Sequence, residues 1–422
     1  MSTPSLLNIP YRLKAGTLYS QIPESGAGDF TVSRTTTPTA GQSTRINSQG
    51  FIELVANNVP RLDYPVGGAV NGCPALLVEP SAQNIETNSE NISVYSIITG
   101  VQTLSGQLNT EVAPDGATTG DRALETAITD IHAIFRDRTV VSGTTYTFSI
   151  FAKSVNGRNV QINGSNGFAG VSATVDLSNG AILASTGTIA VQNYGGGWYR
   201  ISLTVTASST SGRTIIYSAS GTSTTFLGDV TKGVALWGAQ VETGSVATSY
   251  IPTTTGSVTR SADVIRQTNI ASLIGQSEGT VYFEVEVTDE ARNKWFFTLD
   301  SASNSFIQAW IDPSRRVQIQ IQNAAAIVMV ALVSSTLSVG YHKVAFAYNT
   351  ATNGCEMFID GVQNPVASRT VTGAGLPAFN NFTFGSYLST QSDTLKAHIR
   401  AGTLYPTRLP NTGPNSLTTL TT

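Results

Sequence analysis

Charge is scarce in this chain. Only 12% of its 422 residues are Asp, Glu, Lys or Arg, about half of the ~25% usual in a soluble domain. A formal net charge of −3 leaves no basic footprint, which argues against nucleic acid and against an anionic membrane surface as partners. Cysteine is nearly absent. Cys73 and Cys355 have no CxxC or Cys/His spacing, so no zinc site and no disulfide framework is indicated. A bond between the two stays open, although each reads first as a small buried apolar side chain.

Long apolar runs are missing too. The longest candidate, Ala324 to Val333, is far short of the ~18–20 residues of a membrane helix and reads as a buried strand. The opening Met1-Ser2-Thr3-Pro4-Ser5-Leu6-Leu7 lacks the cationic and apolar regions of a secretion signal. Helical periodicity is weak, with Asp121–Ile134 and Asn269–Ile274 the best helix candidates. His132, His342 and His398 are isolated from one another and from cysteine, without HxxxH or HExxH spacing. There is no GxSxG, P-loop or dinucleotide fingerprint, and Gly195-Gly196-Gly197 precedes a strand pattern and reads as a hairpin loop. No catalytic residues and no metal ligands are assigned, and the chain is expected not to be an enzyme.

What is abundant is the composition of short strands and tight turns: Gly, Ser, Thr and Asn. Period-two alternation recurs. It places Tyr146, Phe148 and Ile150 on one face, then Tyr199, Ile201, Leu203 and Val205, then Val281, Phe283, Val285 and Val287 with Tyr282, Glu284 and Glu286 opposite. His342–Tyr348 and Glu356–Ile359 follow suit, and Asp360-Gly361 after them is a strong hairpin signal. The fold class is all-β, in antiparallel sheets.

Turn-rich breaks suggest four parts. Residues 1–84 form an N-terminal segment holding half of the chain's 16 prolines, which makes an ordinary sheet core improbable there. Residues 85–256 and 257–408 carry two strand sets, joined near Ile251-Pro252-Thr253-Thr254-Thr255-Gly256-Ser257. Residues 409–422 form a Pro-, Thr- and Asn-rich tail expected to fray or to lie along a neighbour. The pentapeptide Ala15–Tyr19 recurs as Ala401–Tyr405, too short to define a repeat.

Several of these stretches resemble bacteriophage tail and head fibre or decoration proteins. The front resembles their attachment segment: Gly28–Arg34, Thr44–Glu53, Asn58–Tyr64 and Cys73–Pro80, then Ser81–Ile85 as a partial match to an Arg-Thr-Asn-Leu run. The middle resembles a carbohydrate-binding-module-like jelly roll through Ala113–Gly116, Gly143–Phe148, Gly197–Arg200, Leu236–Glu242 and Ser249–Pro252. The last third resembles a concanavalin A-like or laminin-G-like sandwich through Gly279–Tyr282, Gly340–Phe346 and Phe358–Gly361. The resemblance implies tandem β-sandwiches behind an extended N-terminal attachment segment (1–84), the jelly roll occupying 85–256 and the second sandwich 257–408. It further implies a structural virion protein, assembled as a homotrimer, that meets other virion proteins through residues 1–84 and host surface polysaccharide through its sandwiches.

Sugar-binding sandwiches grip pyranose rings with aromatic side chains. Trp198 and Trp237 sit in strand patterns and are expected in the core. Trp295 and Trp310 flank polar, loop-like segments and, with Tyr282, are the glycan-binding candidates. Glu284 and Glu286, at i and i+2, would share a face as glycosidase carboxylates do, but polar-out alternation already accounts for them. Loop carboxylates Asp176, Asp300 and Asp312 suit structural calcium, though no EF-hand spacing is present and no cofactor is assigned.

Overall fold

The computed structural model describes residues 3–14, 17–34, 43–64, 73–301, 305–323, 328–349, 354–364, 368–369, 378–387 and 394–419. These residues form two antiparallel β-sandwiches. In the first, one sheet has the order Asp121–Leu124, Gly233–Thr243, Thr145–Val155, Trp198–Thr206, Thr188–Gly195. The other runs Ile182–Thr186, Ser172–Val175, Asn159–Asn166, Ser211–Ala219, Ala133–Thr139, Ser96–Thr99. Their shared core holds the alternating residues read from the sequence, among them Tyr146, Phe148, Ile150, Tyr199, Ile201 and Leu203. Each such side chain stabilises the fold by roughly 1.5–3 kcal/mol on burial. A smaller cluster joins Trp198, Trp237, Phe151 and Tyr250. The indole Nε1 of Trp237 donates to Thr119 Oγ1 at 3.0 Å and that of Trp198 to the Val112 carbonyl at 2.9 Å. Both tryptophans are therefore core residues.

The helix expected over Asp121–Ile134 is replaced by strands, Asp121–Leu124, Thr129–Ile131 and the start of Ala133–Thr139. Asp121 explains part of this. It is buried, and its carboxylate accepts from the backbone N–H groups of Ile92 and Asn109 at 2.9 and 2.8 Å, contacts an amphipathic helix would not offer. Of Asn269–Ile274 only a 3₁₀ turn at Ala271–Leu273 forms.

The second sandwich packs a sheet ordered Thr17–Ile22, Leu6–Lys14, Ala397–Tyr405, Glu278–Val287, Gly340–Asn349, Glu356–Ile359, Val362–Asn364 against another. That other runs Thr31–Ser33, Val264–Thr268, Asn381–Phe384, Lys294–Asp300, Phe306–Ile311, Val317–Gln322, Val328–Val333, Ser368–Arg369. At the centre Phe283 stacks on Phe297 at 5.1 Å and meets Phe384 edge-on, also at 5.1 Å. The strand read over Ala324–Val333 forms from Val328 onward, the first four residues lying outside those described.

The N-terminal segment differs from its sequence reading. Leu6–Lys14 pairs with Ala397–Tyr405, Ala75–Val78 pairs with the same strand, and Thr31–Ser33 pairs with Val264–Thr268. Residues 1–84 thus complete both sheets of the second sandwich. Their prolines are compatible with this because Pro60, Pro74 and Pro80 fall outside strands, and Pro10 lies where the pairing register is interrupted, between Asn8 and Leu13. The tail also departs from expectation. Thr412–Thr418 is a short helix, tied down by Asn415 Nδ2 donating to the Gly361 carbonyl at 2.7 Å and Gly361 N–H donating to Thr418 Oγ1 at 3.0 Å. Neither cysteine is disulfide-bonded. Cys355 is buried as expected, whereas Cys73 is exposed.

Candidate functional site

Trp295, on Lys294–Asp300, and Trp310, on Phe306–Ile311, are direct cross-strand partners. Their rings stack with centroids 5.4 Å apart and planes 20° from parallel, and Tyr387 stands 5.3 Å from Trp295. The pair is half-buried on the outer face of its sheet. A register shift between Trp295 and Phe297 explains how it gets there. In a regular strand Trp295 and Phe297 would share a face. With Phe296 as the additional residue of a bulge, Phe296 and Phe297 both enter the core and Trp295 turns outward. Beside the rings the strand Val317–Gln322 buries Val317, Ile319 and Ile321 and presents Gln318 and Gln320 on the other side. Trp295 Nε1 donates to Gln308 Oε1 at 3.0 Å, and Gln308 Nε2 donates to Gln320 Oε1 at 2.8 Å. Flat rings beside oriented amides are the chemistry a neutral sugar ring needs.

Tyr282 is not part of this platform. It lies on Glu278–Val287, half-buried on the outer side of the opposite sheet, with the phenylalanine core between it and the tryptophans. The three glycan-binding candidates are therefore divided between two faces. Glu284 and Glu286 lie on Tyr282's side, each with a basic partner. Arg400 Nη1 stands 3.4 Å from Glu284, and His398 Nδ1 stands 2.6 Å from Glu286. Asp300 accepts a two-pronged pair from Arg266, each bond 2.8 Å. Asp312 accepts from Arg316 Nε at 2.8 Å, and Asp176 accepts from Ser178 Oγ at 2.7 Å. Among the described residues no group of three or more His, Cys, Asp or Glu converges as a metal site.

A buried ionic clasp holds the N-terminal segment, the first sandwich and the strand entering the second sandwich together. Arg34 and Arg61 both pair with Asp263, and Arg61 and Arg260 both pair with Glu79. All five side chains are closed to solvent. Burial opposes ionisation of Glu79 and Asp263, but the flanking guanidinium groups hold both carboxyls below their ordinary range. Ser249, at the end of the first sandwich, donates its hydroxyl to Glu79 at 2.7 Å.

Next to this clasp a cleft of about 500 Å³ opens where the N-terminal segment and both sandwiches meet. His398 stands in its wall with Nδ1 2.6 Å from Glu286 and Nε2 3.0 Å from Asp63. Burial disfavours the imidazolium, yet hydrogen bonds and the charges of Asp63 and Glu286 raise its pKa to about 10, so both ring nitrogens act as donors. Arg400 lies over the Tyr341 ring, 3.4 Å from its centroid. Lys396, Arg200, Tyr64 and Tyr194 complete the part of the wall relevant here. Of the cleft's charged residues, the sequence drew notice to Glu286 only as a partner of Glu284 and to His398 only as an isolated histidine. His398 is separated from its two partners by 335 and 112 positions, and no local spacing signals such a contact.

No family model matches the chain, and no curated protein does. Among solved structures it is similar to a sialidase carbohydrate-binding module of Ruminococcus gnavus bound to α2,3-sialyllactose, at 13% identity and TM-score 0.29 over 36% of this chain and 86% of that one. A pentraxin of Limulus polyphemus matches at 9% identity and TM-score 0.29 over 34% and 70%. The receptor-binding domain of a botulinum neurotoxin matches at 16% identity and TM-score 0.30 over 36% and 39%. Each likeness covers about a third of this chain, and no ligand or activity is transferred from any of them. On its own strands and sheets, the chain is an all-β protein of two antiparallel sandwiches.

Proposed function

We propose that this chain is a non-catalytic, carbohydrate-binding structural protein of a bacteriophage particle, a fibre or head-decoration subunit. The observation that carries the sugar-binding part is the half-exposed Trp295–Trp310 pair set beside Gln308 and Gln320. The virion part rests on the resemblance of the front segment to fibre and decoration proteins. Arg34, Arg61 and Glu79 from that segment make the clasp, so its motif residues have a structural use in this fold. Assembly as a homotrimer, with faces of residues 1–84 contacting other virion proteins, would multiply weak single sites through effective concentration.

A purely structural decoration protein is the second reading. It is favoured by the two tryptophans covering one another, which leaves less ring surface for a sugar. A depolymerase is disfavoured because Glu284 and Glu286 are both engaged with bases. The test is a glycan array and whole-cell binding screen of the full chain and of Trp310→Ala, with oligomer mass from light scattering. Surface-glycan binding by a trimer, lost in Trp310→Ala, is expected. A folded oligomer that binds no glycan or cell would establish the decoration reading instead.

A further inference from the structure

We propose that the cleft between the two sandwiches is a second ligand site, one that takes a carboxylate-bearing sugar residue and binds its carboxylate through Lys396. The saccharide part of this assignment rests on the carbohydrate-binding reading above, whereas the anionic part rests on how charges are matched in the cleft wall.

The acids of the wall all have bases. Glu79 has Arg61 and Arg260, Asp289 has Arg315, Glu290 has Arg292, and Asp63 and Glu286 share His398. On the other side of the account Arg45 has Glu53, and Arg400 has Glu284 at a loose 3.4 Å. Two bases remain with neutral acceptors only, among the described residues. Lys396 Nζ donates to the Val246 carbonyl at 2.6 Å. Arg200 donates to the Thr248 carbonyl at 2.7 Å and to Ser149 Oγ at 3.0 Å, and lies over the Phe151 ring. Arg200 is 5% exposed, and its Nε has no hydrogen-bond partner.

An ammonium carries three N–H donors, and the Val246 carbonyl accounts for one of those on Lys396. Glu242, the acid whose charge acts on it most, is not bonded to it and accepts from Gln240 and Thr248. Burial lowers the Lys396 pKa, a cost that an incoming carboxylate would offset. Tyr64 and Tyr341 supply ring surface in the same wall, and about 500 Å³ is within the range of small-molecule sites. Two under-matched cations among tyrosines suit a uronic-acid-type residue better than a neutral one.

The experiment is calorimetric titration of the full chain with an oligogalacturonide and with its carboxyl-reduced form, a neutral galactose oligomer. Wild type, Lys396→Gln, Lys396→Arg and Trp310→Ala are compared, with thermal unfolding to confirm folding. The acidic oligomer should bind wild type, weaken by about tenfold or more in Lys396→Gln, recover in Lys396→Arg and be unaffected in Trp310→Ala. Equal binding of the acidic and reduced oligomers, unchanged binding in Lys396→Gln, or no binding of the acidic oligomer would each overturn the assignment. Neutral-glycan binding lost in Trp310→Ala but unchanged in Lys396→Gln would leave the platform standing and remove this site. The converse pattern would leave this site and remove the platform. Where Lys396→Gln fails to fold, the comparison of acidic with reduced oligomer on wild type still decides.

Discussion

Arg34 Nη1 lies 2.7 Å from Asp263 Oδ1, and both side chains are closed to solvent. The two residues are 229 positions apart, so the contact exists only once the front segment has docked on the strand that opens the second sandwich. Asp263 also receives Arg61 and the Glu79 backbone N–H.

Asp263→Ala would leave two buried guanidinium groups short of an acceptor. A loss of about 3–5 kcal/mol is expected for breaking such a pair. Urea unfolding of the second sandwich would measure it. Limited proteolysis should cut residues 1–84 first in the variant and not in the wild type.

His398 gives a pH dependence of definite sign. Its folded pKa, about 10, exceeds its ordinary 6.5, so its contribution is complete below pH ~6.5 and is lost as pH rises through ~10. Glu286 is shifted the other way, downward through His398, and its contribution is lost as pH falls below the ordinary carboxylate range. The difference in melting temperature between wild type and His398→Gln should therefore be largest near pH 5–6 and shrink steadily toward pH 10. A difference that stays constant up to pH 10 would contradict the ion-pair description.

Phe283 sits among Phe296, Phe297, Phe382 and Phe384 at centroid separations of 5.7, 5.1, 6.0 and 5.1 Å. Phe283→Ala should cost about 3–5 kcal/mol, as for other buried aromatic truncations. Denaturant unfolding of the second sandwich gives the value, and the first sandwich should be unaffected.

Gly238 lies in Gly233–Thr243 with φ +63°, and a Cβ there would stand 2.9 Å from Phe151 Cδ2. Backbone strain and the clash act together, so Gly238→Ala is expected to lose about 1–3 kcal/mol. Thermal unfolding of the first sandwich checks it.

Much of the fold was legible in the sequence because strand alternation is a local property. Val281, Phe283, Val285 and Val287 are all buried as their spacing requires, and Asp360-Gly361 turns with φ of 50° and 80°. Asp121–Ile134 misled because its strand depends on a buried aspartate whose backbone partners, Ile92 and Asn109, lie 29 and 12 positions before it and outside the stretch itself. The prolines of the first segment misled because, among the described residues, Pro60, Pro74 and Pro80 lie between strands and Pro10 at a register shift, and the pieces around them still pair. Trp295 and Trp310, singled out as neighbours of polar segments, stack on one another, but the outward turn of Trp295 depends on a bulge that alternation cannot show. Tyr282 belonged to a separate face, which follows from sheet order and not from strand pattern.

Leu6 pairs with Leu404, and this has a consequence for how the molecule is made. When the ribosome has emitted residues 1–84, the strands they must join do not yet exist. The first sandwich, built from consecutive stretches between Ser96 and Thr243, can close in the meantime. The front segment waits throughout this period with its strand edges unsatisfied, and contacts of such long range form slowly. Those edges are open to neighbouring nascent chains for the whole of that interval, so the order of synthesis itself sets how long the chain is exposed to pairing with the wrong edge.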